Sequence, residues 1–251
     1  GKKTPHIGRF WSGCAQSVKH GLLPGDLELL LHRFVRGDQP RLGKSRLRPR
    51  GISRVLLVGC GTSYQLAQAA ACNFESVCDV PAFAYSAGEF CAGGVVCDRG
   101  ALVVGISASG QTAEVVEALQ KAAAFGARTA SLTGDPDSPL ARAGGTLLSL
   151  PCSLPGGLPP VTHFVLGYVL LALVAVDWGL RQKTITPLFG RMAVKLCATL
   201  PDKLRLILKS GSELDALAAY LSGYDRLLGG GFGYKTPTIF TEDSERLQYQ
   251  H

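Results

Sequence analysis

The chain has 251 residues, which is enough for one large domain or two small domains with a sizeable core. Hydrophobic residues make up 46% of the sequence and charged residues 18%, a composition that excludes an intrinsically disordered chain. The formal net charge of +7 leaves open a basic surface that contacts an acidic partner.

The positive charge is concentrated at the start of the chain. Residues 1–54 contain 12 Lys and Arg against 3 acidic residues, a net charge of +9, whereas the remainder contains 14 against 16, a net charge of −2. We predict that residues 1–50 form a basic N-terminal arm with one short helix over Asp26–Val35 and a Pro- and Arg-rich linker over 39–51. A charge run such as 41–54 is ordinarily a solvated surface, and the alternative is that it binds RNA or an acidic partner. Its basic residues are Arg41, Lys44, Arg46, Arg48, Arg50 and Arg54.

Strand and helix patterns alternate through residues 51–180. Short apolar runs predict strands at 55–58, 81–85, 101–106, 128–132 and 146–150, and helical spacing predicts helices at 63–76, 86–91, 112–125 and 139–143. This alternation is typical of a parallel sheet covered by helices on both faces. We therefore predict an α/β fold, a three-layer sandwich with a parallel sheet.

Hydroxyl side chains follow two of these strands at the point where a helix begins. The carboxyl ends of neighbouring parallel strands face one crevice, where open α/β sheets bind ligands. Helix N-termini carry unpaired N–H groups and a positive dipole end, so hydroxyls beside them suit a phosphate group. The alternative is that these residues are ordinary helix caps. The predicted phosphate-binding residues are Gly61, Thr62, Ser63, Ser107, Ser109, Gly110 and Thr112.

Other sites are not indicated. The eight cysteines form no C-x-x-C pair and predict buried thiols in an intracellular reducing compartment, the cytoplasm or an organelle matrix. Gly59-x-Gly61 lacks the third glycine of a dinucleotide motif, and no P-loop lysine is present. The five histidines are scattered along the sequence, and we expect each to be a surface or packing residue. We expect no cofactor and no metal.

Residues 181–251 predict a helical connection and part of a second lobe. A helical pattern over 161–179 ends the preceding domain. Within 181–251, helical patterns occupy 187–199, 201–209 and 212–221, and a strand is predicted at Arg226–Leu228 before a glycine-rich turn. The longest apolar run, Phe164–Val176, is too short to span a bilayer and indicates a core helix, so no membrane is expected. Apolar surface on the 187–221 helices predicts a homo-oligomer or a subunit of a larger complex.

These motifs resemble the sugar isomerase (SIS) domain family, most closely the isomerase half of glucosamine-6-phosphate synthase. Gly59-Cys-Gly-Thr-Ser-Tyr64 is similar to its first phosphate loop, Ile106-Ser-Ala-Ser-Gly-Gln-Thr-Ala113 to its second, and Ser138-Pro-Leu-Ala-Arg142 to a short helix that follows. The resemblance implies a flavodoxin-like SIS domain that binds a phosphorylated sugar, a hexose or hexosamine 6-phosphate. It also implies an aldose–ketose isomerase or a deglycase that uses a glutamate base and a histidine.

The chain departs from the family pattern in several places. Pro160-Val-Thr-His163 replaces a Ser-Thr-Lys segment, and Ala108 stands where relatives often carry a polar residue. The residues near the expected place of the base and the histidine are Glu242, Glu245 and His251, in surroundings that do not fit the motif, and Glu245 and His251 are the candidates. Two alternatives follow: a sugar-phosphate isomerase or deglycase, or a catalytically inactive paralogue that serves as a structural or regulatory subunit of a larger, possibly RNA-containing assembly.

Overall fold

A computed structural model describes residues 22–42, 47–152, 158–209, 216, 220, 226–228 and 239–241. The strands are β1 (Val35–Arg36), β2 (Gln39–Pro40), β3 (Arg54–Gly59), β4 (Ala82–Ser86), β5 (Ala101–Ile106), β6 (Arg128–Thr133), β7 (Leu147–Ser149), β8 (Arg226–Leu228) and β9 (Ile239–Thr241). The helices are α1 (Leu22–Phe34), α2 (Thr62–Cys78), α3 (Ala87–Ala92), α4 (Ala113–Ala124), α5 (Pro139–Ala143), α6 (Pro160–Gln182), α7 (Pro187–Ala198) and α8 (Leu200–Lys209). The predicted elements of residues 51–180 are all present, with bounds that move by up to three residues.

Five parallel strands form the central sheet in the order β4-β3-β5-β6-β7. Counted from β3, this is the 2-1-3-4-5 order of flavodoxin-like folds, which confirms the predicted α/β sandwich. The strand order reverses between β3 and β5, because β3 connects to β4 on one side while the rest of the chain continues on the other. The crevice of such a switch point lies at the carboxyl ends of these two strands.

The sheet is buried because its strands are apolar on both faces. Side chains alternate across a strand, so Val55 and Leu57 of β3 enter one core cluster, and Leu56 and Val58 enter the other. The first cluster also holds residues of α1, α2 and α6, and the second holds residues of α3, α4 and α5. Helices therefore cover both faces, as predicted.

The helix predicted in the N-terminal arm packs inside the first of these clusters. Leu27 and Leu30 of α1 are fully buried there. The helix begins at Leu22, four residues before its predicted start, because Pro24 is tolerated in a first helical turn. Further along, Trp178 Nε1 donates to the carbonyl of Leu47 at 3.0 Å, which ties the segment before β3 to α6.

Helix α6 spans 23 residues and is long and apolar enough, by length and composition, to cross a membrane. Its most apolar stretch is 72% buried inside the fold, and Leu170 and Trp178 belong to the first core cluster. This confirms the predicted core helix.

The part of the chain after α8 is described only in short segments. Strand β8 has its predicted bounds and pairs antiparallel with β9, a pairing that the sequence analysis did not anticipate. Most of the predicted helix over 212–221 lies outside the described residues. The second lobe and the domain boundaries stay predictions.

Candidate functional site

The first loop of the site joins β3 to α2. A Cβ atom on Gly59 would lie 2.7 Å from the backbone of Ser63, so only glycine allows the chain to turn this tightly. Gly61 caps the helix at φ 54° and ψ −128°, a conformation that side chains disfavour, and no side chain caps the helix N-terminus. Thr62 and Ser63 open the helix, with Thr62 half-buried and Ser63 buried, and the N–H of Ser63 donates to the carbonyl of Cys60 at 3.0 Å.

The second loop joins β5 to α4 and is held by its own hydroxyls. Ser107 Oγ accepts from the N–H of Gly110 at 3.1 Å and lies 2.9 Å from Thr112 Oγ1. Ser109 Oγ accepts from the N–H of Gln111 at 3.2 Å. Thr112 occupies the N-cap position of α4, yet its side chain makes no capping hydrogen bond. Its hydroxyl is directed to the loop, and the simple capping alternative does not account for it.

A third crossover, between β6 and α5, supports the second loop from behind. Thr133 Oγ1 donates to the carbonyl of Ala108 at 3.3 Å, and the N–H of Leu140 donates to the carbonyl of Gly110 at 3.1 Å. Ser138 Oγ donates to the carbonyl of Asp135 at 2.7 Å and caps α5. The short Ser138–Arg142 motif thus fixes the backbone of the loop.

The two loops lie at the same edge of the sheet. Strands β3 and β5 are hydrogen-bonded neighbours, and Gly59 pairs with Ile106 at their last residues. The chain leaves both strands in the same direction, and α2 and α4 begin at this edge with their N-termini toward it. The two loops therefore share the carboxyl edge of the sheet, with α2 on one face and α4 on the other.

The hydroxyl cradle, defined as Gly61, Thr62, Ser63, Ser107, Ser109, Gly110 and Thr112, carries no formal charge. Its favourable potential for an anion comes from hydroxyl dipoles and two helix N-termini. Among the described residues, no group of three His, Cys, Asp or Glu side chains could hold a metal ion. Burial raises the pKa of the Cys60 thiol, so this cysteine of the first loop stays protonated at neutral pH.

The structure adds one residue to this site that the sequence analysis assigned to packing or the surface. His163, in the first turns of α6, is only 1% exposed, and its Nε2 lies 3.2 Å from Ser63 Oγ. Burial lowers the pKa of His163 to about 4, so the imidazole is neutral at neutral pH. The sequence feature that could have indicated His163 as a site residue is its position directly after the loop that follows the last strand of the sheet.

The remaining predicted site residues cannot be placed. Glu245 and His251 lie outside the described residues. A separate groove of about 690 Å³ lies beside the edge strand β4 and is lined by Tyr64, Phe83, Tyr85 and Val96, and by none of the seven cradle residues.

Residues 50–176 match the family profile of the SIS domain. The glutamine–fructose-6-phosphate aminotransferase (isomerizing) of Bradyrhizobium diazoefficiens is 26% identical over 186 residues, 74% of this chain and 31% of that protein. The fructoselysine 6-phosphate deglycase of Escherichia coli (strain K12) is 37% identical over 95 residues, 38% of this chain and 28% of that protein. The matches thus span less than a third of either relative.

The fold also resembles solved structures. The C-terminal domain of glucosamine-fructose-6-phosphate aminotransferase from Francisella tularensis superposes with a TM-score of 0.74 at 22% sequence identity. That likeness covers 80% of this chain and 57% of the solved chain. It extends the agreement in fold beyond the segment matched by the family profile.

Proposed function

The chain belongs to the SIS domain family, and from this premise we propose that its hydroxyl cradle binds a hexose or hexosamine 6-phosphate by the phosphate group. The observation that supports this proposal is the position of two hydroxyl-bearing loops and two helix N-termini at the carboxyl ends of neighbouring strands, where the strand order of the sheet reverses. One relative is named for fructose 6-phosphate and the other for fructoselysine 6-phosphate, which supports this ligand class.

The cradle suits a phosphate group because its donors are many, neutral and fixed. Gly110 and Gln111 already give their N–H groups to Ser107 and Ser109, so these hydroxyl oxygens are oriented before a ligand arrives. Ser109 retains its proton to donate, and so does one hydroxyl of the bonded pair Ser107 and Thr112. A hydrogen bond to a charged acceptor contributes about 1.5–3 kcal/mol. An unphosphorylated sugar offers no such charged acceptor.

Calorimetry with the full chain tests the proposal. We expect glucose 6-phosphate or fructose 6-phosphate to bind and glucose or fructose not to bind under the same conditions. Replacing both Ser109 and Thr112 by alanine removes two donors and should weaken binding at least about 100-fold.

A matched control comes from the helix that starts in the cradle. Ser76 is exposed near the far end of α2, where its hydroxyl bonds only the carbonyl of Cys72 in the same helix. Ser76→Ala should bind sugar phosphate like the wild-type chain. Equal affinity for sugar and sugar phosphate would overturn the proposal, as would unchanged affinity in the double variant.

Two observations favour a second candidate, a binding subunit without turnover. Glu89, in the first turn of α3, is exposed, and its carboxylate accepts from the N–H and hydroxyl of Ser86 in a capping box. His163 is neutral and already bonded to Ser63. The cradle as described therefore supports phosphate recognition more directly than proton transfer.

A further inference from the structure

The pair formed by Ser63 and His163 joins the first loop of the cradle to the start of α6. Ser63 is 9% exposed and His163 is 1% exposed, so the contact between Ser63 Oγ and His163 Nε2 is shielded from water. The two residues are 100 positions apart in the chain, and the bond exists only because α6 packs directly on α2.

The other ring nitrogen determines how this bond is polarised. His163 Nδ1 is buried and has no hydrogen-bond partner among the described residues. A neutral imidazole carries one N–H and one acceptor nitrogen, so the single proton sits either on Nε2 or on Nδ1. A proton on Nδ1 would leave a buried N–H donor without an acceptor, which is costly. A proton on Nε2 is satisfied by Ser63 Oγ.

The polarity of the bond decides what Ser63 can offer a ligand. If Nε2–H donates, the Ser63 oxygen is an acceptor and its own proton remains free for an anion. If Nε2 instead accepts, the Ser63 proton is held by the imidazole and points away from the cradle. Only the first arrangement makes Ser63 a phosphate donor.

We propose that His163 is a positioning residue, which donates from Nε2 to Ser63 Oγ and so directs the Ser63 hydroxyl proton to the bound phosphate. This inference rests on the proposed function, because it names the group that prepares one donor of the same cradle. His163 acts through Ser63 and does not contact the ligand.

A double-mutant cycle measured by calorimetry with glucose 6-phosphate tests this role. Ser63→Ala and His163→Leu should each weaken binding about tenfold or more, and the double variant should be no weaker than the worse single variant. In a Ser109→Ala background, His163→Leu should keep its full effect, since Ser109 lies on the other loop. His163→Gln, which retains a donor, should recover most of the affinity.

The tautomer provides a readout that a purely structural role would not move. Nitrogen-15 NMR of the labelled imidazole should show the proton on Nε2 in the free chain and in the complex. If thermal unfolding shows that His163→Leu is not folded, the role of His163 is decided by the affinities of His163→Gln and Ser63→Ala and by the tautomer.

The outcomes separate this inference from the proposed function. A wild-type chain that binds no sugar phosphate would overturn both. Wild-type binding together with a proton on Nδ1, or with additive losses from Ser63→Ala and His163→Leu, would overturn only the role of His163.

Discussion

Gly110 is the residue on which the geometry of the second loop depends most directly. Its φ is +67°, and a Cβ atom there would lie 2.1 Å from Ser138 Oγ and 2.9 Å from Thr133 Oγ1. Gly110→Ala combines backbone strain with a collision against the crossover that supports the loop. We expect a loss of about 2 kcal/mol or more in the free energy of unfolding, measured by urea denaturation, and loss of sugar-phosphate binding.

Gly37 supplies the control for backbone strain alone. Its φ is +61°, and a Cβ atom there meets nothing within 4 Å. Gly37→Ala should cost about 1–2 kcal/mol and leave ligand binding unchanged. If the two alanine variants were equally stable and both bound ligand, the packing of Gly110 against Ser138 would not matter for the site.

Buried His163 makes the stability of the fold depend on pH. Burial lowers its folded-state pKa to about 4, whereas the pKa in the unfolded chain is about 6.5. Between these values the unfolded chain binds a proton that the folded chain does not, so stability is fully present above the unfolded pKa and falls as the pH drops toward 4. The total is about 3 kcal/mol.

The pH prediction is checked by urea denaturation of the wild-type chain and His163→Gln between pH 4 and 7. The wild-type chain should lose stability relative to the variant as the pH falls through this window. Parallel pH dependence of the two chains would contradict a buried, neutral histidine.

At the scale of elements, the basic segment before β3 divides into anchored and outward-facing parts. Arg128 donates to the backbone carbonyls of Arg48, at 2.9 Å, and of Arg50, and Arg54 pairs with Asp98 at 2.8 Å. The side chains of Arg48 and Arg50 are exposed. The backbone is therefore held on the fold while two guanidinium groups face solvent, which keeps RNA or an acidic surface as the proposed partner.

We expect an RNA oligonucleotide to bind the full chain in a salt-dependent way, measured by fluorescence anisotropy. Arg48→Ala with Arg50→Ala should reduce the slope of log affinity against log salt by about 1–2 and leave sugar-phosphate binding intact. The control is Lys195→Ala with Lys203→Ala, two exposed positions on α7 and α8. Equal RNA affinity in the two double variants would show that Arg48 and Arg50 do not contribute to RNA binding.

How much the sequence predicts depends on the kind of signal that each element carries. Strands such as β5, buried on both faces, and loops with Gly61 and Gly110 leave local patterns, so the sheet and the cradle could be predicted. The two-residue strands β1 and β2 are too short for any periodicity. His163 could not be predicted as a site residue, because its contact with Ser63 comes from the packing of α6 on α2. The two residues are 100 positions apart, and no local pattern encodes such a contact.

At the scale of the whole molecule, α7 and α8 leave apolar side chains exposed. Leu188, Met192 and Leu196 share one face of α7 at i, i+4 and i+8, and each is about three-fifths exposed. Leu206 on α8 is 67% exposed. Apolar patches of this kind commonly mark interfaces, and we propose a second copy of the chain as the occupant.

Sedimentation equilibrium at micromolar concentration should show self-association of the wild-type chain. Changing Leu188, Met192 and Leu196 to glutamine should shift the chain toward monomer without lowering its stability, because these side chains are exposed. Phe125→Gln is the control, since Phe125 is 67% exposed at the end of α4. A wild-type monomer under these conditions would argue against the interface.

The last question for the whole molecule is whether binding leads to turnover. Aldose–ketose isomerisation requires a base within hydrogen-bond reach of the C1 and C2 protons and a proton shuttle for ring opening. Near the cradle, within the described residues, Glu89 is engaged in a capping box, Glu114 is exposed to water in the first turn of α4, and His163, with a pKa of about 4, is a weak base at neutral pH. We therefore expect the 251-residue chain to bind sugar phosphate and to convert fructose 6-phosphate to glucose 6-phosphate negligibly in a coupled assay. Rapid conversion that Glu245→Gln abolishes and His163→Gln leaves intact would instead establish an enzyme whose base lies outside the described residues.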